Sequence, residues 1–172
     1  ECFYIPYISI LRPDSLSTRL RNVFNASAAS SNGKSLNDQL CAGPKLQNSI
    51  IEILTKARTF RFIVTGDITK MFRQILILPE DRKKMRIIWR GNEAEELREF
   101  QLNTVTYGTE CAPYQSLACI LQCAIDHAPS DTIANIIKES FYVDDFMYGG
   151  STIAECRDII NQVNETMAKG KF

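Results

Sequence analysis

The amino-acid sequence predicts an α+β fold in which helices pack on one face of an antiparallel sheet. The stretch SFYVDDFMYGG at residues 140–150 has two apolar runs around a short polar turn, which is typical of a β-hairpin. Apolar residues recur at helical spacing between residues 113 and 128 and again after residue 151. The predicted order is mixed, with a helix, strands, a helix, the hairpin and a last helix, and the hairpin implies antiparallel pairing, which favours the α+β class.

Each predicted element follows from a local pattern. Residues 14–50 are rich in Ser, Asn, Gly and Pro and predict loops and short turns rather than a core element. The predicted helices cover residues 49–58 and 113–128 and a last helix that Ser151 caps at its N-terminus. The buried stripe predicted for that last helix comprises Ile153, Cys156, Ile159, Ile160, Val163 and Met167. The predicted strands cover residues 60–67, 73–80, 84–90, 98–105, 139–143 and 146–148, with a break expected at Gly149 and Gly150.

The composition is that of an ordinary globular domain. A chain of 172 residues is long enough for one domain with a real core. Its 45% apolar and 23% charged residues are a normal balance for a globular protein. The 20 basic and 20 acidic side chains leave no net charge, which argues against binding nucleic acid through bulk charge. Because the chain opens at Glu1 instead of Met and stops straight after a helical pattern, we expect a piece of a longer protein.

Local charge is less even. Residues 58–90 contain nine basic and three acidic side chains, and the next ten residues are mainly acidic. Such runs are usually solvated faces, and the alternative interpretation is a basic surface for phosphates.

The cysteines and the histidine do not predict a metal centre. The six cysteines include no Cys-x-x-Cys pair, and Cys119, Cys123 and His127 follow each other along one face of a predicted helix. Three successive ligands on one helix face do not easily converge on a tetrahedral zinc ion. Small core residues in a reducing compartment are the simpler interpretation.

Two further motifs are excluded. The apolar opening CFYIPYISIL is short, interrupted by Pro6 and without a basic leader, so it predicts neither a signal peptide nor a membrane span. NGKS lacks the glycine that a phosphate-binding loop needs five positions before Gly33, where Ala28 stands.

Three carboxylates carry the functional argument. Asp144 and Asp145 are adjacent at the hairpin tip, and on their own they fit a solvent-exposed turn. Asp67, however, ends another apolar strand, and pairing of the two strands would bring all three carboxylates together. Carboxylates that remain ionised in one small region need cations, and a pair of magnesium ions is suited to in-line attack on a phosphate.

The motifs in this order resemble those of reverse transcriptases. YVDDFMYGG is similar to their hairpin motif, TGDITKMFRQILILPEDRKKMRIIWR to their first-aspartate motif, and NTVTYGTECAPYQS to the intervening glycine-proline motif. RNVFNASAASSNGKSLNDQLCAGPKL resembles the fingers segment of the BEL/Pao group of LTR retrotransposons. The resemblance covers nearly the whole chain and implies a right-hand polymerase fold with fingers and palm. It implies fingers at residues 1–53 and 78–111 and palm at residues 54–77 and 112–172, truncated before a thumb.

The resemblance also implies roles for individual residues. Catalytic and metal-binding roles fall on Asp67, Asp144 and Asp145, with the Ile68 carbonyl as a further metal ligand. Nucleotide-binding roles fall on Arg21, Lys70, Met71, Phe72, Tyr107 and Gly108. Primer and template roles fall on Tyr142, Gly108 and Pro113, and Lys169 or Lys171 is a candidate for the acid that protonates pyrophosphate.

Simpler interpretations stay open for several of these residues. Phe72 also fits a core aromatic, Arg21 a surface arginine whose register competes with Arg19, and Gly108 an ordinary turn glycine. Asn25 stands where the family usually has aspartate, Thr69 where BEL/Pao members often have glutamate, and Tyr107 replaces the usual phenylalanine.

The implied function is RNA-directed DNA polymerisation, a nucleotidyl transfer from a dNTP to a primer 3′-hydroxyl that uses two Mg²⁺ ions, with Mn²⁺ as a substitute. The implied partners are an RNA or DNA template with annealed primer, dNTPs, and the other polyprotein domains: thumb, RNase H, protease and integrase. No membrane is expected, and the implied location is a cytoplasmic virus-like particle. The alternatives are a truncated or decayed fragment that binds nucleic acid without catalysis, another two-metal palm enzyme such as a nucleotidyl cyclase, and an α+β interaction domain.

Overall fold

A computed structural model describes residues 2–14 and 19–172 of the chain, and it has the predicted α+β architecture. The chain divides into two compact units, each built from two separate segments. Unit 1 comprises residues 1–43 and 75–112, and unit 2 comprises residues 44–74 and 113–172. Residues 15–18, inside the predicted loop region 14–50, lie outside the described part.

The elements are named in chain order. The strands are β1 Phe3–Tyr4, β2 Tyr7–Leu11, β3 Leu20–Phe24, β4 Phe62–Asp67, β5 Met85–Trp89, β6 Arg98–Gln101, β7 Phe141–Tyr142 and β8 Asp145–Gly150. The helices are α1 Ile50–Ala57, α2 Met71–Gln74, α3 Pro79–Arg82, α4 Ala112–His127, α5 Asp131–Ser140 and α6 Ile153–Lys169, with a 3-10 turn at Asn37–Gln39.

Unit 1 contains two small sheets around its own apolar cluster. β2 and β3 form an antiparallel hairpin, whereas β5 lies between β1, which is parallel to it, and β6, which is antiparallel. The buried cluster consists of Ile5, Phe24, Ala26, Leu36 and Leu102.

Unit 2 contains an antiparallel sheet in the order β4-β8-β7. The register between β4 and β8 runs without a bulge from Phe62 opposite Gly150 to Asp67 opposite Asp145. Side chains of α4, α5 and α6 form the apolar core together with Phe141 and Phe146 of the sheet. The apolar residues of these elements recur at helical and strand spacing, so each element presents one face to a shared core.

The strand predicted at residues 73–80 is wrong. This segment runs from the end of α2 to the start of α3 and pairs only through an isolated bridge between Leu76 and Thr104. Pro79 stands in the first turn of α3, where a backbone N–H would have no partner within the helix, so its absence costs nothing. Glu80 and Asp81 are also in the first turn, where the positive end of the helix dipole stabilises their negative charges. Leu76 and Leu78 remain exposed, so the alternation of apolar residues in this segment does not mark the buried face of a strand.

The prediction for residues 139–150 is right about the hairpin and wrong about its limits. Helix α5, which was not predicted, continues to Ser140, so β7 contains only two residues. The expected break at Gly149 and Gly150 is instead the end of β8. A Cβ at position 149 would lie 2.3 Å from the Phe62 carbonyl oxygen, which explains why glycine stands inside this strand.

Two other expectations need correction. Residues 14–50 contain strand β3 and place Phe24, Ala26 and Leu36 in a core, although their composition suggested loops. The N-cap of the last helix is Thr152, whose hydroxyl accepts a hydrogen bond from the Glu155 N–H at 3.1 Å, and not Ser151.

The stripe of the last helix is partly as predicted. Cys156, Val163 and Met167 are buried as expected, but Ile153 is exposed and Thr166 is buried in addition.

Candidate active site

The two aspartates of the hairpin differ in position. Tyr142 of β7 pairs with Asp145 of β8, so Val143 and Asp144 form a two-residue loop. Asp145 is the first residue of β8 and is exposed, whereas Asp144 is half-buried within the loop.

Asp67 and Asp145 are directly opposite each other on neighbouring antiparallel strands. Opposite residues of such a pair project from the same face, with Cα atoms about 4.5–5.5 Å apart. The sequence prediction that β4 and the hairpin are neighbours is therefore confirmed by the register. Like charges placed in this way repel each other, so the pair is better suited to binding a cation than to stabilising the sheet.

The environment of Asp144 disfavours its charged form. Burial raises the pKa of its carboxyl above the usual range, and the charges of Asp67 and Asp145 raise it further. A backbone hydrogen bond at Asp144 itself acts in the opposite direction. Asp144 is therefore close enough to the other two carboxylates to respond to their charge.

We expect Asp144→Asn to stabilise the metal-free fold at neutral pH. A carboxyl whose pKa is raised by folding contributes stability that is present below the ordinary aspartate pKa and is lost as the pH rises through the raised value. The gain should be less than about 1 kcal/mol because solvent screens this half-exposed group. Urea titrations in EDTA between about pH 3 and pH 7 would measure the free energy of unfolding.

The matched control is Asp158→Asn, which changes an exposed carboxylate on α6 of the same unit. The free energy of unfolding of Asp144→Asn should exceed that of wild type by an amount that grows as the pH rises. A difference that does not depend on pH would contradict the prediction.

Ile68 connects the end of β4 to the hairpin loop. Its N–H donates to the Asp144 carbonyl at 2.9 Å, and its own carbonyl accepts from the Met71 N–H at 3.1 Å. The Ile68 carbonyl keeps a second lone pair for a metal ion. Lys70 between them has a φ of 54°, and its carbonyl accepts from the Arg73 N–H at 2.7 Å.

The donor set fits magnesium in its chemistry. Carboxylate and carbonyl oxygens are the ligands that Mg²⁺ prefers, and Asp67, Asp145, Asp144 and Ile68 supply both kinds. Across residues 2–14 and 19–172, no three His, Cys, Asp or Glu side chains are already arranged as a metal-binding group. Sharing an ion would thus require the carboxylates, which repel each other in its absence, to rotate towards one point.

The other predicted residues of unit 2 lie on several elements. Phe72 packs partly buried against the apolar core, which agrees with the core-aromatic alternative. Tyr142 is exposed and, with Asp67 and Asp145, lines a cavity of about 540 Å³. Pro113 is exposed in the first turn of α4, Lys169 ends α6 and Lys171 follows it.

The predicted residues of unit 1 are Arg21, Tyr107 and Gly108. Arg21 is exposed on β3. The Tyr107 hydroxyl donates to the Asn22 carbonyl, and its ring centroid lies 5.2 Å from that of Phe24. Gly108 has a φ of 92°, and a Cβ there would lie 2.6 Å from the Phe24 carbonyl oxygen, so the turn itself requires glycine.

Gln47 and Asn48 contact the hairpin and had no predicted role. The Val143 N–H donates to Gln47 Oε1 at 3.0 Å, and Asn48 Nδ2 donates to the Lys138 carbonyl at 2.8 Å. Both residues belong to a polar loop segment, where single-sequence patterns do not distinguish a buried amide contact from ordinary solvent exposure.

The cysteines differ in burial: Cys123 and Cys156 are buried, as expected for small core residues, whereas Cys119 is only partly buried and Cys2 and Cys41 are exposed. Cys123 is buried in the unit 2 core, and its thiol donates to the Thr166 carbonyl at 3.3 Å. In the described part of the chain, no helix is both long and apolar enough to span a membrane.

The comparisons with known proteins rest on structure. No family model matches this sequence, and no curated protein matches it. A structure of the foamy viral protease-reverse transcriptase in complex with double-stranded DNA superposes with a TM-score of 0.74 at 17% identity over 98% of this chain. A structure of that protease-reverse transcriptase with an RNA/DNA hybrid gives a TM-score of 0.69 at 18% identity over 97% of this chain.

The selenomethionine-labelled prototype foamy virus protein gives a TM-score of 0.71 at 17% identity over 98% of this chain. This chain spans only 19% to 25% of the length of these three proteins. At this level of identity the likeness establishes the fold, which is that of a fragment of a reverse transcriptase.

Proposed function

We propose that this chain is the fingers and palm part of an RNA-directed DNA polymerase, a nucleotidyltransferase of retrotransposon origin. The observation that carries the proposal is the pairing of Asp67 with Asp145 across β4 and β8, with Asp144 in the adjoining loop. This pairing joins residues 78 positions apart in the chain at one end of one sheet. The fold likeness to foamy virus reverse transcriptases supports the same activity.

The carboxylates would act as ligands in this mechanism. Asp67, Asp144 and Asp145 would hold two Mg²⁺ ions, or Mn²⁺ in their place, with the Ile68 carbonyl as a further ligand. When bound, such ions would supply activation of the primer 3′-hydroxyl and neutralisation of charge on the dNTP triphosphate. The exposure of Asp67 and Asp145 leaves this end of the sheet open to a primer terminus.

The remaining residues would position the substrates. Phe72 would stack under the nucleotide sugar and exclude a ribose 2′-hydroxyl, and the backbone amides of Lys70 and Met71 would face the triphosphate. Since the Met71 N–H donates to Ile68, it would have to share or exchange that partner. Tyr142 would lie against the primer end.

The resemblance also assigns roles to residues of unit 1 and of the start of α4. Arg21 would bind the triphosphate through its planar guanidinium, and Tyr107 and Gly108 would border the nucleotide and template. Pro113 would lie beside the template. Template and primer would be bound mainly through phosphates, with the basic window at residues 58–90 as part of that surface.

The finer assignment is the BEL/Pao group, with dNTPs, a primed template and the remaining polyprotein domains as partners in a cytoplasmic virus-like particle. The basis is the resemblance of residues 21–46 to the fingers segment of that group. The fingers and palm boundaries at residues 53/54, 77/78 and 111/112 belong to this proposal, and the compact units change at residues 43/44, 74/75 and 112/113.

Primer extension by the complete reading frame tests the proposal. Wild type should incorporate dNTPs only when the primer is annealed to a template and Mg²⁺ or Mn²⁺ is present, and EDTA should abolish incorporation. Incorporation should also fall steeply with added salt, as expected for binding through phosphates. Asp144→Asn is the matched inactive variant, and equal incorporation by both proteins would refute the catalytic proposal.

The second candidate is a fragment that binds nucleic acid without catalysis. The observation that favours it is that this chain spans only 25% of the length of the foamy virus protein in complex with double-stranded DNA. A salt-sensitive gel shift without incorporation by the complete reading frame would identify this case. Product formation without any annealed primer would point instead to another two-metal enzyme such as a nucleotidyl cyclase.

A further inference from the structure

The loop that carries Asp144 has an unfavourable sequence for its shape. Two-residue hairpin loops usually contain Asn-Gly or Asp-Gly because their backbone requires positive φ angles. Here the first loop residue is Val143, with a φ of 57°. A β-branched side chain is disfavoured in this left-handed region, so the loop needs support from outside its own sequence.

Gln47 supplies support on the outer edge of β7. Its Oε1 accepts from the Val143 N–H at 3.0 Å, and its Nε2 donates to the Phe141 carbonyl at 3.4 Å. Tyr142 and Asp145 close a two-residue loop, so the polar groups of residues 141 and 143 point away from β8. The side-chain amide of Gln47 therefore stands where the peptide group of a further strand would lie.

Two further residues contact the start and the loop of the same hairpin. Asn48 Nδ2 donates to the Lys138 carbonyl at 2.8 Å and to the Phe141 carbonyl at 3.3 Å, which links the last turn of α5 to β7. On the opposite side, the Ile68 N–H donates to the Asp144 carbonyl at 2.9 Å. Both residues of the loop are thus fixed by partners in other segments of unit 2.

We propose that Gln47 is a positioning residue that, together with Asn48, holds the Val143–Asp144 loop so that the hairpin carboxylates face Asp67. The inference rests on the proposed function, since the carboxylates matter here as ligands of a divalent cation. Among the described residues, the Gln47 side chain forms its hydrogen bonds with backbone groups of the hairpin and of its neighbour Asn48.

The test combines Gln47→Met with two readouts on the chain of 172 residues. Methionine keeps the length of the side chain and removes both hydrogen-bonding groups. Hydrogen exchange of the Val143 amide, followed by NMR, should become about tenfold faster, as expected for one lost hydrogen bond. Affinity for Mn²⁺, titrated without nucleic acid, should fall about three- to tenfold because the carboxylates lose their fixed arrangement.

Two further variants separate positioning from general stability. Gln122→Met, on α4 of the same unit, removes an exposed hydrogen bond to Asp126 and should change neither readout. Val143→Gly removes the strain, so Gln47→Met in that background should lower Mn²⁺ affinity by less than about twofold.

The outcomes separate this inference from the proposed function. Three results would each overturn the role of Gln47 and leave the proposed metal site untouched. They are unchanged hydrogen exchange at Val143 in Gln47→Met, unchanged Mn²⁺ affinity in Gln47→Met, and an equal loss of Mn²⁺ affinity in the wild-type and Val143→Gly backgrounds. A wild-type chain that binds no Mn²⁺ would overturn the proposed metal site, and the positioning role with it. Faster exchange together with a loss of affinity that depends on Val143 supports the inference.

Discussion

Asp67→Asn and Asp145→Asn in the complete reading frame should each lower primer extension by at least about 10²–10³-fold, the loss typical when one preorganised electrostatic group is removed from a catalytic site. The two side chains lie opposite each other on β4 and β8, so they would serve the same ions as one unit. The double variant should therefore lose little more than either single variant. Single-turnover incorporation on a primed RNA template measures the effect.

Asp158→Asn is the control for a lost carboxylate, since Asp158 is exposed on α6 in the same unit. It should retain near wild-type incorporation. Losses that simply multiply in the Asp67 and Asp145 double variant would contradict a shared site, and full activity of either single variant would contradict the proposed mechanism.

Gly149→Ala should destabilise the fold by about 3 kcal/mol or more, at or beyond the upper end of the usual cost of overpacking. The new Cβ would lie 2.3 Å from the Phe62 carbonyl oxygen and 2.6 Å from the Phe60 Cβ. A backbone oxygen within a paired strand cannot move aside as a flexible side chain could. Urea denaturation gives the free energy of unfolding.

Gly66→Ala is the matched control in the same sheet. Gly66 lies on β4, and a Cβ there would meet nothing within 4 Å. Because alanine restricts the unfolded chain more than glycine does, this variant should be unchanged or more stable by up to about 1 kcal/mol. Equal destabilisation by the two substitutions would show that the close contact at position 149 is not the cause.

The sequence predicted the structure correctly where a local pattern of residues determines the secondary structure. The apolar run ending at Asp67 and the hairpin around Asp144 were predicted, and the register confirms that these two strands are neighbours. The α+β class and the reverse transcriptase-like fold are also confirmed. The metal ions, the nucleotide contacts and the BEL/Pao assignment stay predictions.

The errors occur where tertiary contacts decide the local structure. The run at residues 73–80 alternates like a strand but has only one bridging contact, and Pro79 begins a helix. Gly149 was predicted as a break because glycine usually interrupts a strand. Glycine is required there because a carbonyl oxygen of another strand leaves no room for a Cβ, and a single sequence does not reveal that contact. β3 was missed because its pairing with β2 compensates for a composition typical of loops.

The support of the hairpin by Gln47 could not be predicted from spacing. The two ends of the hydrogen bond between Gln47 and Val143 are 96 residues apart, and neither residue type signals the other. The same holds for Asn48, whose partner carbonyl groups belong to α5 and β7.

The discontinuous composition of unit 2 has a consequence for biosynthesis. β4 leaves the ribosome before residues 75–112, whereas its partner β8 ends only at Gly150. Throughout that interval the nascent chain carries an apolar strand with no neighbour to complete its ladder, the kind of segment that chaperones shield during translation. A pause before β8 has emerged would prolong this vulnerable interval, and β4 and β8 can pair only once β8 has left the ribosome.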